Sequence, residues 1–129
     1  MAKTIRQSVT IKATPRAVYE ALMDSRRHAA FSGDAARISR KPGGSFMAYG
    51  GYITGYNLEL APGRRILQLW RSRNWPPHYY STVTFALEKA KGGTRLTFTQ
   101  AGVPANDYKD KKQGWITHYW TPLKAMLEK

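Results

Sequence analysis

The stretch QGWITHYWTPLKAMLEK, residues 113–129, decides the fold, because it combines helical spacing with an unusual amount of aromatic surface. At about 100° of rotation per residue, its large apolar side chains fall within an arc of roughly 140° on a helical wheel. These side chains are Trp115, Ile116, Tyr119, Trp120, Leu123, Met126 and Leu127. Pro122 lacks the amide that would bond to the carbonyl of His118, which predicts a bend or a local break there. The segment is therefore predicted to be a C-terminal helix with a wide apolar face that the rest of the chain must cover.

The sequence before this helix alternates between strand and turn patterns. Residues 5–12 alternate apolar and polar side chains with the period of two of a half-buried strand. Thr14 and Pro15 fit the N-cap and first position of a helix, and a second short helix is predicted to end at Gly33. Turn residues then separate further strands, of which residues 79–89 and 94–100 form the clearest hairpin. This order predicts an α+β fold in which one curved antiparallel sheet wraps around the long C-terminal helix, with two short helices after the first strand.

The composition is ordinary for a globular protein except for its charge. A length of 129 residues predicts a single domain, 1–129, and neither a signal peptide nor a membrane-spanning segment is visible. The chain has no cysteine, which excludes thiol chemistry and fits a cytoplasmic location. Its 21 Lys and Arg residues against 8 Asp and Glu residues give a net charge of +13, but the cations fall in small groups along the whole chain. This distribution favours a solvated basic surface over a specific nucleic-acid site, and no membrane insertion is expected.

Residues suited to catalysis or metal binding are scattered. His28, His78 and His118 have none of the short spacings of metal-binding pairs, so no metal site is predicted. Glu20 and Asp24 share one face of the first helix, but no neighbouring residue makes them an acid–base pair. The glycine pairs lack the spacing and the following helix of a phosphate-binding loop. Catalytic residues, metals and cofactors are therefore not predicted.

Aromatic side chains remain as the candidate functional group. Rings around an internal space form an apolar wall with a few directed donors, because buried indole and phenol groups need hydrogen-bond partners. Ser81 and Gln100 share strand faces with apolar residues and would have to bond to water, to the helix or to a ligand. The predicted ligand-binding residues are Trp70, Tyr79, Ser81, Phe85, Phe98, Gln100, Trp115 and Tyr119. The alternative is that the same rings only fill the core.

Several segments together carry a family resemblance. SVTIKATPRAVYEAL, the GGSF turn, ILQLWRSRNWPPHYYSTVTF, GGTRLTFTQAGVP and GWITHYWTPLKAMLE occur in this order over nearly the whole chain. In order and spacing they resemble the family of activator of heat-shock protein 90 ATPase homologues. That family belongs to the START-like (SRPBCC) superfamily, which has the helix-grip fold of the birch-pollen allergens. The resemblance implies a stand-alone copy of a domain that eukaryotic activators carry behind a separate amino-terminal domain.

Three functions follow as hypotheses. The first is a non-enzymatic protein that binds a small apolar or aromatic molecule between the sheet and the last helix, as the superfamily resemblance implies. The second is a modulator of a chaperone such as heat-shock protein 90, whose acidic face would meet the basic surface of this protein. The third, a polyketide-cyclase-like enzyme, is disfavoured because the sequence shows no paired acid and base. Leu67 and Leu69 place apolar side chains on the second face of their strand, which suggests a homodimer or partner surface.

Overall fold

The computed structural model describes residues 2–129, which form one seven-stranded antiparallel sheet and a set of helices. The strands are β1 (Ala2–Ile11), β2 (Arg37–Ile38), β3 (Ser45–Ala48), β4 (Ile53–Ala61), β5 (Arg65–Ser72), β6 (Ser81–Ala90) and β7 (Gly93–Pro104). The helices are α1 (Pro15–Met23), α2 (Ser25–Ser32), α3 (Tyr108–Trp115) and α4 (Thr121–Leu127), with short 3-10 turns at Tyr49–Gly51 and Ala105–Asp107. The predicted α+β fold is confirmed.

The order of the strands in the sheet follows their order in the chain, except for β1 at one edge. Its strand order is β1-β7-β6-β5-β4-β3-β2, so consecutive strands pair from β2 to β7 and β1 closes the far edge against β7. The predicted hairpin is β6–β7, in which Phe85 lies opposite Phe98 and Val83 lies opposite Gln100. These four side chains are buried on the inner face. The period of two in the sequence therefore correctly separated the inner face from the outer face.

Local capping explains the two short helices after β1. The Thr14 hydroxyl accepts from the amide of Ala17 at 3.1 Å, and Pro15 occupies the first helical position, as predicted. Asp24 caps α2 in the same way through the amide of Arg27. Gly33 ends α2 with a φ of 75°, a left-handed conformation that glycine adopts without a Cβ clash.

The C-terminal helix is continuous, but it changes its winding in the middle. A π-helical turn at Ile116–Trp120 joins α3 to α4 just before Pro122, where the sequence predicted a bend or break. The carbonyl of His118, which the missing amide of Pro122 leaves without its α-helical donor, accepts from the hydroxyl of Tyr49. Ile116 was predicted to lie on the apolar face, but it is 41% exposed. The helical wheel assumed constant winding, and the wider π turn shifts the angular position of Ile116 relative to the later residues of the helix.

Candidate functional site

A chain of buried hydrogen bonds attaches the C-terminal helix to the sheet. The indole N–H of Trp115 donates to Oε1 of Gln100 at 2.7 Å. Nε2 of Gln100 donates to Oγ of Ser81 at 2.9 Å, and that hydroxyl donates to the carbonyl of Trp70 at 2.9 Å. All four residues are at least 97% buried. The inward-facing polar residues of β6 and β7 therefore bond to the protein itself and fix the rotation of the helix.

Two further indoles anchor the same helix, one at its middle and one just before its first residue. Trp120 donates to Oε1 of Gln7 at 2.7 Å, which connects the π turn to edge strand β1. Trp75, in the connection between β5 and β6, donates to Oδ2 of Asp107 at 2.7 Å. The same carboxylate oxygen lies 2.9 Å from Nζ of Lys111, a lysine with only 8% of its side chain exposed. Each anchor pairs one large ring with one directed polar contact, so the helix is held in one position on the sheet.

A cavity of about 390 Å³ remains between the first half of the C-terminal helix and one end of the sheet. Its wall contains the rings of Tyr49, Tyr52, Trp70, Trp115 and Tyr119. The other lining residues are Asp34, Ile53, Asp110, Lys111, Gly114 and His118. Its volume is within the range of small-molecule sites, and its wall combines aromatic surface with a few polar groups, as such sites do.

The structure distributes the eight predicted ligand residues over four places. Trp70, Trp115 and Tyr119 line the cavity. Ser81 and Gln100 lie in the buried hydrogen-bond chain, behind the ring of Trp115. Phe85 and Phe98 lie in the core beneath the cavity. Phe85 borders a void of about 20 Å³, and the ring centroid of Phe98 is 4.2 Å from that of Trp115. Tyr79 packs at the edge of Trp75 and donates to the carbonyl of Gly102.

Two tyrosines, Tyr49 and Tyr119, form the back wall of the cavity, and the buried His28 lies behind Tyr119. Nε2 of His28 lies 3.0 Å from the hydroxyl of Tyr119, and the ring centroids of Tyr49 and Tyr119 are 5.7 Å apart. Burial lowers the pKa of His28 to about 4, so this imidazole is neutral at neutral pH. Burial also raises the pKa of Tyr49 and of Tyr119 well above the ordinary phenol value, so both hydroxyls stay protonated. The back wall is therefore uncharged.

Several cavity residues were not among the predicted site residues. Tyr49 has a φ of 52°, a left-handed conformation uncommon outside glycine, at the turn before Gly50 and Gly51. A tyrosine directly before a glycine pair is a turn signal, but nothing in the sequence shows that its ring points inward. Asp34, Tyr52 and Lys111 lie in loops or polar helical positions that are usually solvated. Only their positions in the fold bring them to the cavity.

Other candidate groups lie elsewhere. Glu20 pairs with the guanidinium of Arg40 at 2.6 Å, and Asp24 caps α2, so neither lines the cavity. No cluster of three or more His, Cys, Asp and Glu side chains suited to a metal ion is found within residues 2–129. In the same range of residues, none of the helices is both long and apolar enough to span a bilayer.

We expect the hydrogen bond between Trp115 and Gln100 to be measurable as a coupling energy. Gln100→Met keeps the volume but leaves the buried indole N–H without an acceptor, which should cost about 2 kcal/mol. In the Trp115→Phe background, which lacks this donor, the same change should cost about 1 kcal/mol less. Urea unfolding of both single variants and the double variant, followed by far-UV circular dichroism, measures the coupling. A coupling energy near zero would contradict the role assigned to this bond.

The fold and the cavity together define the class of protein. A curved antiparallel sheet that grips a C-terminal helix, with a cavity between the two, is the helix-grip fold of the START-like superfamily. The chain belongs to the family described as Activator of Hsp90 ATPase homolog 1-like protein, whose model matches residues 12–128. The resemblance seen in the sequence is thereby confirmed.

Individual relatives agree with this assignment. The chain is 30% identical over 115 residues to the "Activator of 90 kDa heat shock protein ATPase homolog" of Dictyostelium discoideum. The aligned region covers 88% of this chain and 30% of that protein. It therefore spans about a third of the length of this curated relative. The crystal structure of an HSP90 activator from Plasmodium falciparum superposes with a TM-score of 0.91 at 25% identity, covering 97% of this chain and 96% of the other. The Aha1 dimer from Colwellia psychrerythraea shares the fold, with a TM-score of 0.83 at 20% identity and coverage of 98% and 96%.

Proposed function

We propose that this protein is a non-enzymatic regulator of an Hsp90-type chaperone and that it acts by direct contact. The observation that carries this proposal is the similarity, over nearly the full length of both chains, to the solved HSP90 activator from Plasmodium falciparum. Membership in the family of activators supports the same function. The chaperone hypothesis therefore moves ahead of the small-ligand hypothesis, which the sequence placed first.

The charge of the chain supports a partner with an acidic face. The net charge is +13, and many of the arginines and lysines are exposed. Such a surface attracts an acidic partner over distances comparable to the Debye length, about 10 Å at 0.1 M salt. Binding should therefore weaken as the salt concentration rises.

One part of the outer sheet face has the composition of a contact surface. We call it the outer patch, and it consists of Arg37, Met47, Tyr56, Leu69 and Tyr80. Tyr56 is 46% exposed, stands opposite Leu69 in the register, and has its ring centroid 6.2 Å from that of Tyr80. Arg37 pairs with Met47 across β2 and β3, and a groove of about 340 Å³ runs between these side chains. Tyr, Met and Arg are enriched at protein interfaces, so we assign the chaperone contact to this patch.

We expect Arg37→Glu to weaken binding to purified Hsp90 about tenfold, because it reverses the only charge of the outer patch. Arg16→Glu is the matched control, since it makes the same change of charge at an exposed position on α1, away from the outer patch. It should change the affinity less than threefold. Isothermal titration calorimetry at two salt concentrations provides both comparisons. Equal effects of the two substitutions would refute the patch, and no binding by the unaltered protein would refute the proposed function.

The outer patch also includes one of the two leucines for which the sequence suggested a homodimer. Leu67 and Leu69 are half-buried on the outer face of β5. A dimer through this face would cover Tyr56 and compete with the chaperone. Sedimentation velocity of Tyr56→Ala and of the unaltered protein tests whether the outer patch forms a dimer. If it does, the unaltered protein should sediment as a dimer and the variant as a monomer.

A second candidate function is the binding of a small molecule, which the cavity favours. A space of about 390 Å³ lined by Trp70, Trp115 and Tyr119 is large enough for a ligand beside a well-packed core. A bound ligand and a bound chaperone are compatible, because the cavity lies on the inner face of the sheet and the outer patch on the opposite face. Native mass spectrometry of the protein purified from its own host, followed by organic extraction, tests whether a stoichiometric molecule accompanies it.

A further inference from the structure

The cavity has an unusual electrostatic setting for so basic a protein. Only 8 of the 129 residues are acidic, yet Asp34 and Asp110 line the cavity and Asp107 lies directly behind Lys111. Against these three carboxylates stand Lys111 in the wall and Arg73 at the rim, where its guanidinium lies 6.0 Å from the ring centroid of Tyr52. The acidic and basic residues that line the cavity, Asp34, Asp110 and Lys111, sum to −1, while the whole chain carries +13.

The positive charge of Lys111 is already matched within the protein. Its Nζ lies 2.9 Å from Asp107, 3.1 Å from Asp110 and 5.7 Å from the ring centroid of Tyr52. An anionic ligand would have to compete with both carboxylates for this ammonium group. Lys111 is therefore poorly placed to recognise an anion in the cavity.

Asp34 has no such partner. Its Oδ1 accepts from the amide of Ala35 at 2.8 Å, and no ion pair within 4.0 Å joins it to a cation in the described part of the chain. It lies over the turn at Gly50, where a Cβ atom would come within 3.0 Å of Oδ1. Asp34 thus contributes an available carboxylate to a cavity whose wall is otherwise mainly aromatic.

The aromatic wall, like the carboxylate of Asp34, favours a positively charged ligand. The rings of Tyr49, Tyr52, Trp70, Trp115 and Tyr119 all line this one space. The face of an aromatic ring carries negative potential, so it attracts cations, and several rings around an alkylated ammonium group form a recurrent recognition site. Neither Tyr119 in the back wall nor the neutral His28 behind it adds a cation that would repel such a ligand.

We propose that the cavity holds a small organic cation, an alkylated ammonium group on an apolar body, between its aromatic rings and the carboxylate of Asp34. This assignment rests on the proposed ligand-binding function and specifies the chemical class of the ligand. The rings remove the alkyl groups from water, and Asp34 balances the charge at the mouth. A neutral molecule of the same shape gains only the first of these two contributions.

The test uses two probes of nearly identical shape, phenyltrimethylammonium and its uncharged isostere tert-butylbenzene. Binding of each to the full chain is followed by the NMR shifts of the indole N–H groups of Trp70 and Trp115. We expect the cation to bind about tenfold more tightly than the isostere. Asp34→Asn should weaken cation binding about fivefold and leave isostere binding unchanged. Glu88→Gln, the matched loss of one exposed negative charge on β6, should change neither.

The outcomes separate this inference from the function on which it rests. Equal affinity for the two probes, or an Asp34→Asn variant that binds the cation as well as the unaltered protein, would overturn the cation assignment and leave ligand binding standing. If neither probe shifts the indole signals at concentrations up to its solubility, both the cation assignment and the cavity as a ligand site are overturned.

Discussion

Trp115→Ala is expected to lower the free energy of unfolding by about 3–5 kcal/mol, the range for removing a large ring from a core. Trp115 is only 2% exposed, and its ring centroid lies 4.2 Å from that of Phe98 and 4.5 Å from that of Tyr119. The substitution also leaves Oε1 of Gln100 without its donor. Because small domains are stable by only about 5–15 kcal/mol, the variant should be close to unfolding.

Urea unfolding followed by far-UV circular dichroism measures this loss independently of tryptophan fluorescence. Tyr52→Ala is the matched control, since it also removes a ring from the cavity wall but from a side chain that is 38% exposed. It should cost less than about 1 kcal/mol. A loss of the same small size for Trp115→Ala would show that the ring lines a loose space and does not anchor the helix. Ligand binding is therefore better tested with variants at the mouth of the cavity than with alanine at Trp115.

Acidification from pH 7 to pH 5 is expected to lower the free energy of unfolding by about 2 kcal/mol through His28 alone. Burial lowers the pKa of His28 to about 4 in the folded state, while an unfolded chain has the ordinary value of about 6.5. Above both values the histidine is neutral in both states and contributes nothing. Between about pH 6.5 and pH 4 only the unfolded state takes up the proton, so the free energy of unfolding decreases as the pH is lowered. Below about pH 4 the loss levels off at about 3 kcal/mol.

His28→Gln removes this titration and should flatten the pH dependence between pH 7 and pH 5. The two carboxyl groups at Asp24 and Glu128 also lose stabilising contacts in acid, because amide hydrogen bonds lower the pKa of each. Their contribution falls below this window, since a lowered carboxyl pKa acts only below its unfolded value of about 4. Chemical unfolding at half-unit pH steps compares the two proteins. Parallel curves for the variant and the unaltered protein would contradict the assignment to His28.

Period and capping signals were sufficient to predict the elements of the fold. Thr14, Pro15, Asp24 and Gly33 act locally, so the positions of α1 and α2 follow from a few neighbouring residues. Alternation in β6 and β7 likewise predicted that Gln100 faces inward. The π turn could not be predicted in this way, because the wheel assumes constant winding. Ile116 was misplaced for this reason.

The candidate site was only partly predictable, because its contacts join residues far apart in the chain. Trp115 and Tyr119 lie on the predicted apolar face and do line the cavity. The sequence predicts no role for His28, yet it bonds to a tyrosine 91 positions away. Lys111 reads as a solvated cation in a lysine-rich segment, but the Asp107 carboxylate and the ring of Tyr52 allow its burial. Such pairings depend on how the helix sits on the sheet, which local patterns do not contain.

The protein thus uses its two sheet faces differently. The inner face is closed by indole hydrogen bonds except at one end, where the cavity remains. The outer face presents Arg37 and Tyr56 among half-buried apolar side chains. In the proposed function the outer patch contacts the chaperone, and the cavity is a separate site whose variants should leave that contact intact.

The ATPase rate of purified Hsp90, measured with increasing amounts of this protein, tests the central proposal most directly. We predict a saturable stimulation that Arg37→Glu reduces and that Arg16→Glu and Asp34→Asn leave largely unchanged. An ATPase rate that stays constant in the presence of excess folded protein would contradict the proposed regulation of the chaperone.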